Sequence, residues 1–118
     1  MKRRSLALAL GLALLTCAPL RAATVTVNVQ NFTFSPNPVN IDPGDTVHWV
    51  WVSGFHSTTS DTGVWDSTAM NTPFSFDFTF PTGGAFPYHC SIHGASGGVG
   101  MSSIVNVSPV ELQAFDAE

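Results

Sequence analysis

The chain predicts an all-β fold, a single antiparallel β-sandwich, on three observations. Short runs alternate polar and apolar residues with period two, as in "FSFDFTF" over Phe74 to Phe80. Pro- and Gly-rich turns separate those runs. No stretch beyond the N-terminal leader shows a capped helical period. A length of 118 residues suits one domain.

The leader, residues 1–22, comes first. Lys2, Arg3 and Arg4 precede an apolar run from Leu6 to Leu15, and the stretch after it turns small and polar. That layout predicts a secretory signal peptide, cleaved after Ala22 or Ala23. The run is too short to span a bilayer as a helix. The expected destination is periplasmic or extracellular, and the Arg3-Arg4 pair is compatible with twin-arginine export. A membrane anchor is expected only if Cys17 is lipidated, and Thr16 is a poor residue to precede such a cysteine. The domain then covers 23–108, with a tail over 109–118.

Losing the leader removes Lys2, Arg3, Arg4 and Arg21, all the cations of the chain. The eight acids remain, so the mature formal charge is −8. A nucleic-acid partner is excluded, because phosphate binding requires cations. The acidity suits solubility or a basic partner. Cys17 also leaves, so Cys90 stands alone and no intramolecular disulfide can form.

The strands follow in order. "TVTVNV", Thr24 to Val29, alternates. Val39 and Ile41 form a short strand between Pro38 and the turn Asp42-Pro43-Gly44-Asp45. In "VHWVWV", Val47 to Val52, one face holds Val47, Trp49 and Trp51 and the other holds His48. Phe74, Phe76, Phe78 and Phe80 share a face of the next strand. "FPYHC" puts Phe86, Tyr88 and Cys90 inward, and "SSIVNV" is the last strand.

"YHCSIHGASGGVGM" carries the chemistry. Cys90 ends its strand and His93 follows on the turn, so the two can converge. Met101 closes the Gly-rich loop. Thiolate, imidazole and thioether are soft to intermediate donors that suit copper better than calcium or magnesium; zinc rarely takes a methionine. A trigonal copper site needs a second histidine, from His48, His56 or His89. His56, in the loop "SGFHSTTS" after a core strand, is best placed. His48 lies on an outer face, and His89, beside Cys90, points away from it.

Cys-x-x-His, then Met-x-x-Ile/Val, with a lone His downstream of a "GDTVHW" strand, resembles the cupredoxins of the plastocyanin, pseudoazurin and amicyanin type. The resemblance runs from Val25 to Val107. It implies a Greek-key sandwich binding one blue copper ion through His56, Cys90, His93 and Met101. It implies single-electron transfer, no enzymatic activity, and a monomer serving redox partners such as cytochromes or copper and haem oxidoreductases. Two departures stand out. Seven residues separate His93 from Met101, more than is usual in these carriers; Met70 is the other methionine of the mature chain, in a loop. Ser57 occupies the position where the family usually has Asn, whose side chain ties the two ligand loops together; Ser can make a similar bond.

Other readings are weaker. A copper chaperone or store would share the ligands, but exposed Met- and His-rich tracts are missing. A copper nitrite reductase or multicopper oxidase would use a histidine beside the cysteine, such as His89, yet needs more histidines and a second domain. A thiol hydrolase would leave Met101 without a role and lacks an Asn or Asp to orient His93.

Overall fold

The computed structural model describes residues 21–109. The apolar run, Cys17 and the tail from 110 onward lie outside the described residues. Ten strands account for the regular structure described: β1 (Thr24–Gln30), β2 (Thr33–Ser35), β3 (Val39–Ile41), β4 (Thr46–Trp51), β5 (Phe55–His56), β6 (Thr59–Ser60), β7 (Met70–Asn71), β8 (Ser75–Thr79), β9 (Gly84–Ala95) and β10 (Val99–Val107). Among the described residues no helix is long and apolar enough to cross a membrane.

One sheet has the order β2-β1-β4-β8 and the other β3-β10-β9-β6, with a small β5-β7 ribbon beside them. Two pairs are parallel, β1 with β4 and β3 with β10, so the sheets are mixed where a purely antiparallel arrangement was expected. The physical reason is that period-two alternation reports which face a residue takes and not the direction of the neighbouring strand. After β2 the chain crosses to the opposite sheet as β3, then returns as β4 alongside β1. Asp45 secures that return: its buried carboxylate accepts hydrogen bonds from the Ala23 and Asp42 amides, at 2.8 and 3.0 Å.

The faces fall as the alternation requires. Val47, Trp49 and Trp51 are buried, and His48 pairs with Asp77 on the outside. Phe80 is buried, while Phe74, Phe76 and Phe78 are half-buried against the core. Trp49 stacks on Trp65 at a centroid distance of 5.4 Å and meets Tyr88 edge-on at 5.4 Å; Tyr88 meets Phe34 at 4.7 Å. These rings pack together in the core, with Trp49 on β4 and Tyr88 on β9.

β9 runs further than expected. Cys90 does not end it: the strand continues to Ala95, and the Gly-rich segment is a hairpin whose arms pair Ala95 with Val99 and Gly94 with Gly100. The loop reading failed because glycine content suggests a turn and says nothing about strand pairing on either side of it. Gly97 and Gly98, at φ +91° and +78°, make the turn. Gly94 and Gly100 are needed for closeness: a Cβ on Gly94 would stand 2.5 Å from the Met101 carbonyl oxygen, and one on Gly100 would stand 2.4 Å from that of His93.

Within the core, burial pushes the Tyr88 hydroxyl up to about 12, partly offset by the neighbouring Trp49 and Ser103 side chains. Neither this hydroxyl nor Trp49 Nε1 completes a hydrogen bond of ordinary geometry. Removing a buried polar atom that has no partner costs no hydrogen bond. Tyr88→Phe is therefore expected to match the wild type in urea unfolding or exceed it by up to about 1 kcal/mol. A loss larger than that would reveal a partner for the hydroxyl.

Candidate metal centre

Each donor is delivered by the local fold. His56 follows the end of β4, and Trp51, the last residue of β4, donates from Nε1 to the His56 carbonyl at 3.0 Å. The next two residues, Ser57 and Thr58, are fully buried, as is His56. The Thr58 amide donates to Ser67 Oγ at 2.9 Å, and Trp65 Nε1 donates to Thr58 Oγ1 at 3.0 Å. With its backbone so held, His56 has little freedom to move.

Cys90 and His93 come from an irregularity in the β9–β10 ladder. His89 pairs with Ser102 and Gly94 with Gly100, so the four residues from Cys90 to His93 stand against Met101 alone. The surplus on β9 bulges and turns both side chains toward one point. Met101 lies buried opposite that bulge.

The result is a triangle of electron-pair donors. His56 Nδ1 lies 3.2 Å from His93 Nδ1, and Cys90 Sγ lies 3.8 Å from the first and 3.6 Å from the second. His56 and Cys90 are buried, and His93 is partly exposed. Shared protons can bridge these atoms pairwise, whereas a cation at the centre would engage all three together. A metal about 2.0 Å from nitrogen and about 2.3 Å from sulfur, with trigonal angles, sets nitrogens about 3.5 Å apart and nitrogen about 3.7 Å from sulfur. The triangle fits one such ion.

The protonation states favour it as well. Burial, and after it the neighbouring His93, hold the His56 imidazole below the ordinary histidine value, against an opposing backbone hydrogen bond at Ser53. A neutral ring is what a metal ligand requires. His56 Nε2 faces Asn31 Oδ1 at 3.2 Å, and a carboxamide oxygen only accepts. The proton therefore sits on Nε2 and the lone pair on Nδ1, toward the triangle. Asn31 lies far from the ligands in sequence, and no motif pointed to it.

Ser57 ties the loops together as its position suggested. Its Oγ accepts the Ser91 amide at 2.8 Å and also contacts Ser91 Oγ at 3.1 Å and Thr59 Oγ1 at 2.7 Å. The long ligand hairpin has a second tie. Asp61 accepts the Gly97 amide at 2.9 Å with one oxygen and pairs with His89 Nδ1 at 2.6 Å with the other. His89 is thus directed away from the triangle, and His48 lies outside it. Met70, expected in a remote loop, is instead paired opposite His56 across the β5–β7 ribbon. Sequence distance concealed that proximity.

The depressed His56 value has a measurable sign. The unfolded chain takes up a proton near pH 6.5 that the folded chain accepts only at lower pH, so stability rises with pH between the two values. The metal-free protein should keep this contribution above about pH 6.5 and lose it on acidification. Thermal melts at about pH 7.5 and about pH 5 should show a larger drop for the wild type than for His56→Gln. Equal drops would remove His56 from the account.

No family model matches the chain, and no curated protein matches it. Solved structures do. An oxidised methionine-to-leucine variant of amicyanin aligns with a TM-score of 0.62 at 21% identity, covering 71% of this chain and 81% of its own. A Cu(I) methionine-to-glutamine variant of amicyanin aligns at 0.61 and 18%, covering 72% and 82%. A purple cupredoxin from Nitrosopumilus maritimus aligns at 0.60 and 24%, covering 71% of this chain and 99% of its own. At such identities the likeness speaks for the fold. This chain has the cupredoxin fold, with a His-Cys-His cluster placed for one metal ion at one end of the sandwich.

Proposed function

We propose that the cluster holds one copper ion and that the protein is an exported blue-copper electron carrier. His56, Cys90 and His93 are the trigonal ligands and Met101 the weak axial donor. The observation that carries this reading is the triangle itself: two imidazole nitrogens and one thiol sulfur, spaced for a single ion. One sulfur with two nitrogens, and a thioether opposite the bulge, is the donor set that suits copper in trigonal geometry. A neighbour of the same fold is described in its Cu(I) form, which supports the choice of metal.

Bound copper supplies a one-electron couple. The chain contributes a frame that changes little with charge: Trp51 and Asn31 hold His56, Ser57 joins the two ligand segments, and Asp61 pins the hairpin. A site that need not rearrange keeps the barrier to electron transfer low. Such a carrier needs no acid, base or nucleophile.

Beside the partly exposed His93 lies the exposed ring of Phe32. Phe32, Phe55, Ile92 and Val99 are all exposed, and each sits beside a ligand or on a segment that carries one. A redox protein, such as a cytochrome or a copper or haem oxidoreductase, can dock there without stripping water from charges. Small contacts of that kind release quickly.

Addition of Cu(II) to the purified metal-free protein should produce an intense blue colour from thiolate-to-copper charge transfer and raise the melting temperature. Cys90→Ser should remain folded and colourless. A blue Cys90→Ser protein contradicts the assignment.

Met101→Leu should keep the colour and raise the reduction potential. Each tenfold weakening of Cu(II) binding relative to Cu(I) is worth about 59 mV. Met70→Leu, across the ribbon from His56, should leave the potential in place. The reverse pattern in voltammetry would transfer the axial role to Met70.

A further inference from the structure

The turn between β1 and β2 touches both imidazoles of the cluster. Asn31 Oδ1 meets His56 Nε2 at 3.2 Å. The ring of Phe32, the next residue, meets the His93 ring edge-on at a centroid distance of 4.9 Å and the His56 ring at 6.3 Å. The turn is anchored by the Asn31 amide, which donates to Ser53 Oγ at 3.1 Å. A gap made for this contact lies alongside: a Cβ on Gly54, which has φ +86°, would stand 2.3 Å from Asn31 Oδ1 and 2.6 Å from His56 Nε2.

Phe32 occupies its place against its own preference. It has φ +67°, and among the described residues only one other non-glycine residue, Thr68, has a positive φ. Bulky side chains avoid this region for steric reasons. Burial offers no compensation, since 65% of Phe32 is exposed. Its aromatic contacts are with the two cluster histidines. His93 also depends on Phe32: among the described residues its ring hydrogen-bonds only within the donor triangle. Strain held at an exposed aromatic and directed onto a ligand ring has the character of a functional constraint.

We propose that Asn31 and Phe32 form a clamp that positions both metal-binding histidines before any ion arrives. Asn31 selects the His56 tautomer that turns Nδ1 inward, and Phe32 limits rotation of the His93 ring. Both are positioning residues, and their effect on copper rests on the reading given above. Their effect on the metal-free protein does not.

The test therefore begins without metal. Nitrogen-15 NMR of the metal-free wild type should show His56 protonated at Nε2. Asn31→Leu should give a mixture of tautomers, and Asn31→Asp, which also accepts a hydrogen bond, should restore the single one. Phe32→Gly should melt at the same temperature as the wild type or higher, because the left-handed backbone is natural to glycine. With Cu(II) added, Phe32→Gly and Asn31→Leu should bind about ten- to a hundredfold more weakly with a shifted visible spectrum, while Phe32→Tyr and Asn31→Asp stay near the wild type. A single Nε2-protonated tautomer in Asn31→Leu overturns the role of Asn31. A lower melting temperature for metal-free Phe32→Gly, or wild-type copper affinity and spectrum in that variant, overturns the role of Phe32. A wild type that binds no copper defeats the copper reading, and the NMR and melting results still decide the clamp.

Discussion

Three electron-pair donors share one small space at the end of this sandwich, and much of the surrounding structure is arranged to keep them there. Hydrogen bonds can link the two imidazole nitrogens and the sulfur in pairs, and one cation at the centre would engage all three. Their separations of 3.2, 3.6 and 3.8 Å are held by the backbone that carries them. His56 comes from the segment after β4, and Cys90 and His93 come from the bulge of β9, so two stretches of chain must meet accurately. Ser57 makes that junction by accepting the Ser91 amide, and Trp51 and Asn31 fix the histidine on the other side. Trp49 and Tyr88, on the strands β4 and β9 that lead to the donors, pack ring against ring with Trp65 in the core.

Rigidity of this kind links fold to function. A copper centre passes electrons fast when its ligands suit both oxidation states at once. Hydrogen bonds around the ligands accomplish this, since they orient rings and carbonyls independently of the charge on the ion. The exposed edge of the site differs in kind. Phe32, Ile92 and Val99 are apolar and accessible, and no Lys or Arg follows Arg21 in the sequence. On the proposed function, exposed apolar residues on an acidic protein suit partners that are met briefly and let go.

Much of this was legible in the sequence. Alternation placed Val47, Trp49 and Trp51 inward, and the ordered set of His56, Cys90, His93 and Met101 singled out the residues the fold gathers or sets opposite one another. Three things were hidden, each for a physical reason. The parallel pairings of β1 with β4 and of β3 with β10 leave no trace in a period-two pattern. The hairpin built from Gly94 to Gly100 reads as a loose loop because glycine marks both turns and close backbone contacts. Asn31, Phe32 and Met70 reach the site through tertiary contacts or strand register alone, which no local motif encodes.

On the proposed function, the chain presents two nitrogens and one sulfur to a single copper ion and holds them still through a redox cycle. X-ray absorption at the copper edge, on the loaded protein in its oxidised and reduced forms, tests that claim most directly. One short sulfur and two nitrogens should surround the copper in both forms, at nearly the same distances. A first shell without sulfur, or one that gains or loses a nitrogen on reduction, would contradict it.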